Sequence, residues 1–94
     1  PKRFRMVGKV VLRRIGEDRL LVPVSGAAAR ENAVFPVNET GEFIWDCLTQ
    51  GKTLDETAAA VAAEFAVAPE AALSDCRGFA ERLRAHGLIE EAPP

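Results

Sequence analysis

Ala33-Val-Phe-Pro-Val-Asn-Glu-Thr-Gly-Glu-Phe-Ile-Trp-Asp-Cys-Leu-Thr49 is the stretch where one structural period gives way to another. Ala33 to Val37 reads as a short strand. Pro36 lies inside it, and proline has no amide hydrogen to give to a ladder. Such a strand belongs at a sheet edge, with the proline position facing outward. From Asn38 the period changes to 3.6. Asn38 is an N-cap candidate, and Phe43, Ile44, Cys47 and Leu48 form one helical face that runs to Thr49.

Toward the C-terminus, Gly51 stops this helix, and Thr53-Leu-Asp-Glu56 has the spacing of a capping box that opens the next. That second helix carries Leu54, Ala58, Val61, Ala62 and Phe65 at intervals of three and four. Pro69 suits the first turn of a third helix. Its apolar stripe is Leu73, Cys76, Phe79, Ala80 and Leu83, and it ends near His86 with Gly87 as the stop. Leu88-Ile89 then packs back as a short extended tail.

Toward the N-terminus, Met6 to Arg14 and Arg19 to Val24 read as two strands joined by a turn at Gly16-Glu17-Asp18. Ser25 to Asn32 is small and polar and reads as a loop. The order is three strands, as an antiparallel sheet, followed by three helices. This is an α+β domain of winged helix-turn-helix type.

At 94 residues the chain is long enough for one core, so residues 1–94 are read as a single domain. Pro1 is no initiator residue, so residues are expected to precede it. The longest uncharged apolar run, Ala58 to Ala63, is too short to span a bilayer. The basic start Lys2-Arg3-Phe4-Arg5 is not followed by a signal-peptide core, so the expected compartment is the cytoplasm. Residues 1–14 carry six Lys or Arg and no acid, whereas residues 39–94 carry eleven acids against four bases. A nucleic-acid binder concentrates positive charge on its recognition element, and here the helical part is acidic.

No catalytic constellation emerges. Ser25 has no histidine partner, and the single His86 sits at a helix end, where it caps carbonyls. Cys47 and Cys76 lack metal-site spacing, and with one histidine they fall short of a zinc ligand set. Both lie on apolar helix faces and read as core filler. Carboxylate pairs such as Glu39/Glu42 and Asp55/Glu56 stand at helix N-termini, where the dipole accounts for them. The chain is therefore read as a non-enzyme without metal or cofactor.

Val37 to Leu48, Gly51 to Glu56, Ala66 to Glu70, Asp75-Cys76, Phe79, Leu83 and Gly87 to Glu90 together resemble the PqqD-like family. The resemblance implies a peptide chaperone. Such a domain binds the leader of a ribosomally made precursor peptide and presents it to a modifying enzyme, often a radical-SAM maturase. It implies a leader added as an extra strand to the third strand, at Ala33, Val34, Phe35, Pro36 and Val37. The opposite wall would be the exposed stripe of the third helix at Asp75, Gly78 and Arg82. An exposed edge with unpaired N–H and C=O groups suits such β-augmentation. Glycine inside a helix costs about 1 kcal/mol relative to alanine. Gly78 either admits a close-approaching peptide or relieves crowding against the sheet. Trp45 reads as a core residue that seats the helices on the sheet. Ser25 to Asn32 and Val22-Pro-Val24 depart from the PQQ-pathway pattern, and imply a relative serving another pathway.

Two other readings follow from the same order of elements. A winged-helix regulator would place the third helix in a DNA groove, yet Glu70, Asp75 and Glu81 interrupt its arginines. A structural subunit would pair its bare edge with a second copy, as a homodimer.

Overall fold

Asn38 converts strand to helix as its side chain predicts. Its backbone is extended, at φ −94° and ψ −175°, and its side-chain oxygen accepts the Gly41 amide at 2.8 Å. The computed structural model describes residues 2–30 and 34–93. In chain order it contains β1 (Phe4–Met6), β2 (Val10–Ile15), β3 (Asp18–Pro23), α1 (Ala27–Arg30), β4 (Phe35–Val37), α2 (Glu39–Thr49), α3 (Leu54–Phe65), α4 (Pro69–Ala85) and β5 (Ile89–Glu91). The architecture is α+β. A three-stranded antiparallel sheet, ordered β2-β3-β4, precedes the three long helices.

The helix boundaries follow local chemistry. Thr53 and Glu56 form a reciprocal capping box at 3.1 and 2.8 Å. The hydrogen bond from the Thr53 amide holds the Glu56 carboxyl below the usual carboxylate range. Pro69 occupies the first turn of α4, and Gly87 follows its end with φ of +75°. One boundary is unmarked by sequence. Ala66 closes α3 in the left-handed region, at φ +53°, where glycine is the ordinary choice.

Three segments differ from the sequence reading. Met6 to Arg14 is not one strand: β1 and β2 are separated at Val7-Gly8 and join different sheets. Gly8 has φ of +63°, and a Cβ there would lie 2.6 Å from the Ser25 carbonyl oxygen, so only glycine fits. The bend is locked by Ser25 Oγ, which accepts the Lys9 amide at 2.8 Å. Within the supposed loop Ser25 to Asn32, the alanine-rich Ala27–Arg30 makes a helical turn, and Ala28 is buried. The C-terminal tail is a strand in its own right. β5 pairs antiparallel with β1, with Phe4 opposite Glu91 and Met6 opposite Ile89.

The hydrophobic core joins both sheets to the helices. Leu21 from β3, Leu48 from α2, Val61 from α3 and Leu83 from α4 are fully buried. Burial of such a side chain contributes roughly 1.5–3 kcal/mol each. Trp45 is buried in the same cluster, as its place in α2 predicts. Thr57 is also buried, and its hydroxyl donates to the Thr53 carbonyl at 2.8 Å. Cys47 and Cys76 are buried free thiols. Burial, with Asp75 nearby, pushes the Cys76 thiol up to about 11, so it remains protonated and unreactive. Among the described residues, no helix is long and apolar enough to cross a membrane.

One ion cluster ties the hairpin to α2. Arg14 on β2 stands opposite Arg19 on β3, a pairing that repels. Glu42 on α2 accepts from both, from Arg19 Nε at 2.7 Å and from Arg14. Its side chain is only 13% exposed. The Arg14 hydrogen bond leads in holding the Glu42 carboxyl below its usual range, with Arg19 adding to it.

Two predictions concern stability. Ala66→Gly should stabilise the protein by about 1 kcal/mol, because the left-handed residue loses its Cβ penalty. Thermal unfolding should then rise by roughly 4–8 °C. Glu42→Gln should destabilise by about 1 kcal/mol at neutral pH. A carboxyl with a lowered folded pKa stabilises above its unfolded value, near 4.5. That contribution is lost as pH falls through the folded value. Urea unfolding of both proteins at pH 7 and pH 3 should therefore show the gap closing in acid.

Candidate peptide-binding edge and groove

The order β2-β3-β4 leaves β4 paired on one side only. Its side chains alternate: Pro36 is exposed, while Phe35 and Val37 are partly covered on the core side. Phe35 meets α4 and the residue that caps it. Its ring lies 5.9 Å from Phe79 and 5.2 Å from His86, edge to face in both cases. Phe35 thus packs the start of β4 against the C-terminal half of α4 and the residue that follows it.

Beyond Phe79 a cleft of about 320 Å³ opens between α4 and the first turn of α2. Asp75, Gly78 and Arg82 line it from α4, as the sequence reading grouped them, and Asn38, Thr40 and Gly41 line it from α2. A Cβ built on Gly78 would meet nothing within 4 Å. Relief of crowding against the sheet therefore does not account for this glycine. Gly41 is the opposite case. A Cβ there would lie 3.2 Å from Val37 Cβ, 3.3 Å from Asn38 Oδ1 and 3.3 Å from Phe79 Cε1. Gly41 thus lets α2 approach α4, and Gly78 leaves the cleft open.

The Arg82 guanidinium carbon stands 5.6 Å from the Phe79 ring centroid, within cation–π range. Among the described residues it makes no ion pair, unlike Arg84, which meets Glu81 at 3.7 Å. A cation laid over an aromatic floor and left without a carboxylate suits an acidic or carbonyl-bearing segment. Among the described residues, no three His, Cys, Asp or Glu side chains cluster as metal ligands.

The predicted strand residues divide. Val34 is half-exposed and lines a small hollow with Pro23, Phe35 and His86. Pro36 and Val37 belong to β4 but line neither space, and Ala33 lies outside the described residues. Sequence reasoning missed the α2 side of the cleft, Thr40 and Gly41, and the role of Phe79 as its floor. The small Thr-Gly pair one turn inside an N-cap was the available signal. His86 was read as a carbonyl cap. Its backbone caps α4 by donating to the Arg82 carbonyl, while its ring packs on Phe35.

Three comparisons bear on this geometry. The family model for coenzyme PQQ synthesis protein D (PqqD) matches residues 8–89. No curated protein matches the sequence. Among solved structures, the chain is similar to TbiB1 in complex with the TbiA(beta) leader peptide. Identity is 24% and the TM-score 0.75, covering 96% of this chain and 99% of that one. It is also similar to lasso peptide synthetase B1 complexed with the leader peptide. There identity is 18% and the TM-score 0.77, covering 93% and 96%.

The two glycines give opposite expectations for one substitution. Gly78→Ala should stabilise by about 0.5–1 kcal/mol, from helix propensity in open space. Gly41→Ala should lose that gain to overpacking and destabilise by about 1 kcal/mol or more. Chemical denaturation of the two variants beside the parent reads the difference.

Proposed function

This chain belongs to the coenzyme PQQ synthesis protein D (PqqD) family, and from that premise we propose that it is a peptide-binding, non-catalytic recognition domain. It takes the leader of a ribosomally synthesised precursor peptide as an added strand on β4. It presents the rest of the precursor to a modifying enzyme, such as a radical-SAM maturase, in the cytoplasm. The observation that carries this reading is the conjunction at one edge. An edge strand leads through Asn38 into a cleft that Gly78 of α4 leaves open. Main-chain bonds along β4 would supply affinity, and the cleft under Asp75, Gly78 and Arg82 would supply side-chain selection. The fold shared with two leader-bound proteins supports the same reading.

Titration of the 15N-labelled domain with the leader of a precursor peptide encoded beside it should give saturable amide shifts. They should be confined to residues 34–38 and 74–86. A random DNA duplex should give none. Shifts along α4 with duplex, and silence with peptide, would establish the winged-helix regulator instead. Gly78→Leu provides the matched variant. It should fold at least as stably as the parent and lose leader affinity by tenfold or more (about 1.4 kcal/mol), because its side chain fills the cleft.

A further inference from the structure

Backbone groups of an antiparallel strand alternate in direction, each residue sending its N–H and C=O to one side and its neighbours to the other. The β3–β4 register sets Arg19, Leu20 and Leu21 opposite Val37, Pro36 and Phe35. Proline has no N–H, so the Leu20–Pro36 rung cannot exchange two bonds. Phe35 and Val37 therefore face β3, and Val34, Pro36 and Asn38 face the open edge. Val34 offers a donor and an acceptor there. Pro36 offers its carbonyl alone. Asn38 offers its amide, because its carbonyl already accepts from Glu42 inside α2.

We propose that Pro36 is the specificity-determining residue of this edge, reserving it for a ligand strand and denying it to a second copy of the chain. The inference rests on reading β4 as the leader-binding strand. A ligand strand laid from Val34 to Asn38 loses one bond to Pro36, since its own amide still donates to the Pro36 carbonyl. Two copies joined about a two-fold axis lose twice. With Pro36 opposite Pro36, two carbonyls face each other with no hydrogen between them. With Val34 opposite Pro36, each of the two symmetric rungs lacks a bond. The ring carbon bonded to the proline nitrogen also stands where the missing hydrogen would point, and its bulk is met twice in a homodimer. The edge needs such a guard: Val34 is 50% exposed, and among the described residues no charged side chain lies on β4. Edge strands are elsewhere blunted by lysine or by proline.

The test is sedimentation equilibrium of the parent and Pro36→Val over a concentration series, with amide spectra of each. The parent should stay monomeric. The valine variant should move toward twice the mass as concentration rises, with concentration-dependent shifts at residues 34–38. At concentrations where it is monomeric, it should bind the leader about two- to tenfold more tightly, the worth of one regained hydrogen bond. A natively folded Pro36→Val that remains monomeric over the whole series overturns the proposal, as does a parent that dimerises through β4. Pro36→Thr repeats the comparison should the valine variant precipitate. Dimerisation of the variant with no leader binding by either protein would remove the ligand reading, leaving exclusion of the second copy standing.

Discussion

The contact between Gly41 and Phe79 is the constraint on which the remaining geometry depends. With three neighbours 3.2 to 3.3 Å from where its Cβ would sit, position 41 sets how closely the first turn of α2 can lie against α4. That spacing seats Phe79, and Phe79 in turn seats Phe35 of β4. The edge strand is therefore held at a defined distance from α4. The cleft stays open because Gly78, on α4, places no side chain in it. Two residues of one type that line the same cleft do contrary work.

Charge completes the frame. The first fourteen residues carry six Lys or Arg and no acid, and the helices carry most of the acids. Where these meet, at Arg14, Arg19 and Glu42, the opposite charges tie the hairpin to α2. Glu42, one turn into α2, offsets the repulsion between the cross-strand arginines. Arg82 stands apart from this economy of pairs, over an aromatic ring at the mouth of the cleft.

The legible parts of the fold were those governed by neighbours in sequence. Asn38, the Thr53–Glu56 box, Pro69 and Gly87 each act within one helical turn, and each marks its boundary in the structure. The apolar stripes of α2, α3 and α4 and the edge position of β4 were readable for the same reason. The break at Gly8 was not, because its cause is the carbonyl of Ser25, far along the chain. β5 was seen only as an extended tail, since its partner β1 lies at the opposite end of the sequence. At the cleft, α4 could be read from periodicity and the family pattern. Thr40, Gly41 and the ring of His86 take their roles from contacts between elements, which no local pattern encodes.

The ladder between β1 and β5 has a consequence for architecture at a larger scale. It clasps the first and last strands side by side, with Arg5 meeting Glu90 at 2.7 Å. No residue of either strand lines the cleft beside α4. Segments entering β1 and leaving β5 therefore stand side by side, a geometry that tolerates splicing into a surface loop of another polypeptide. The same clasp would permit circular permutation, with new ends cut at the Gly16-Glu17 turn and the old ones fused.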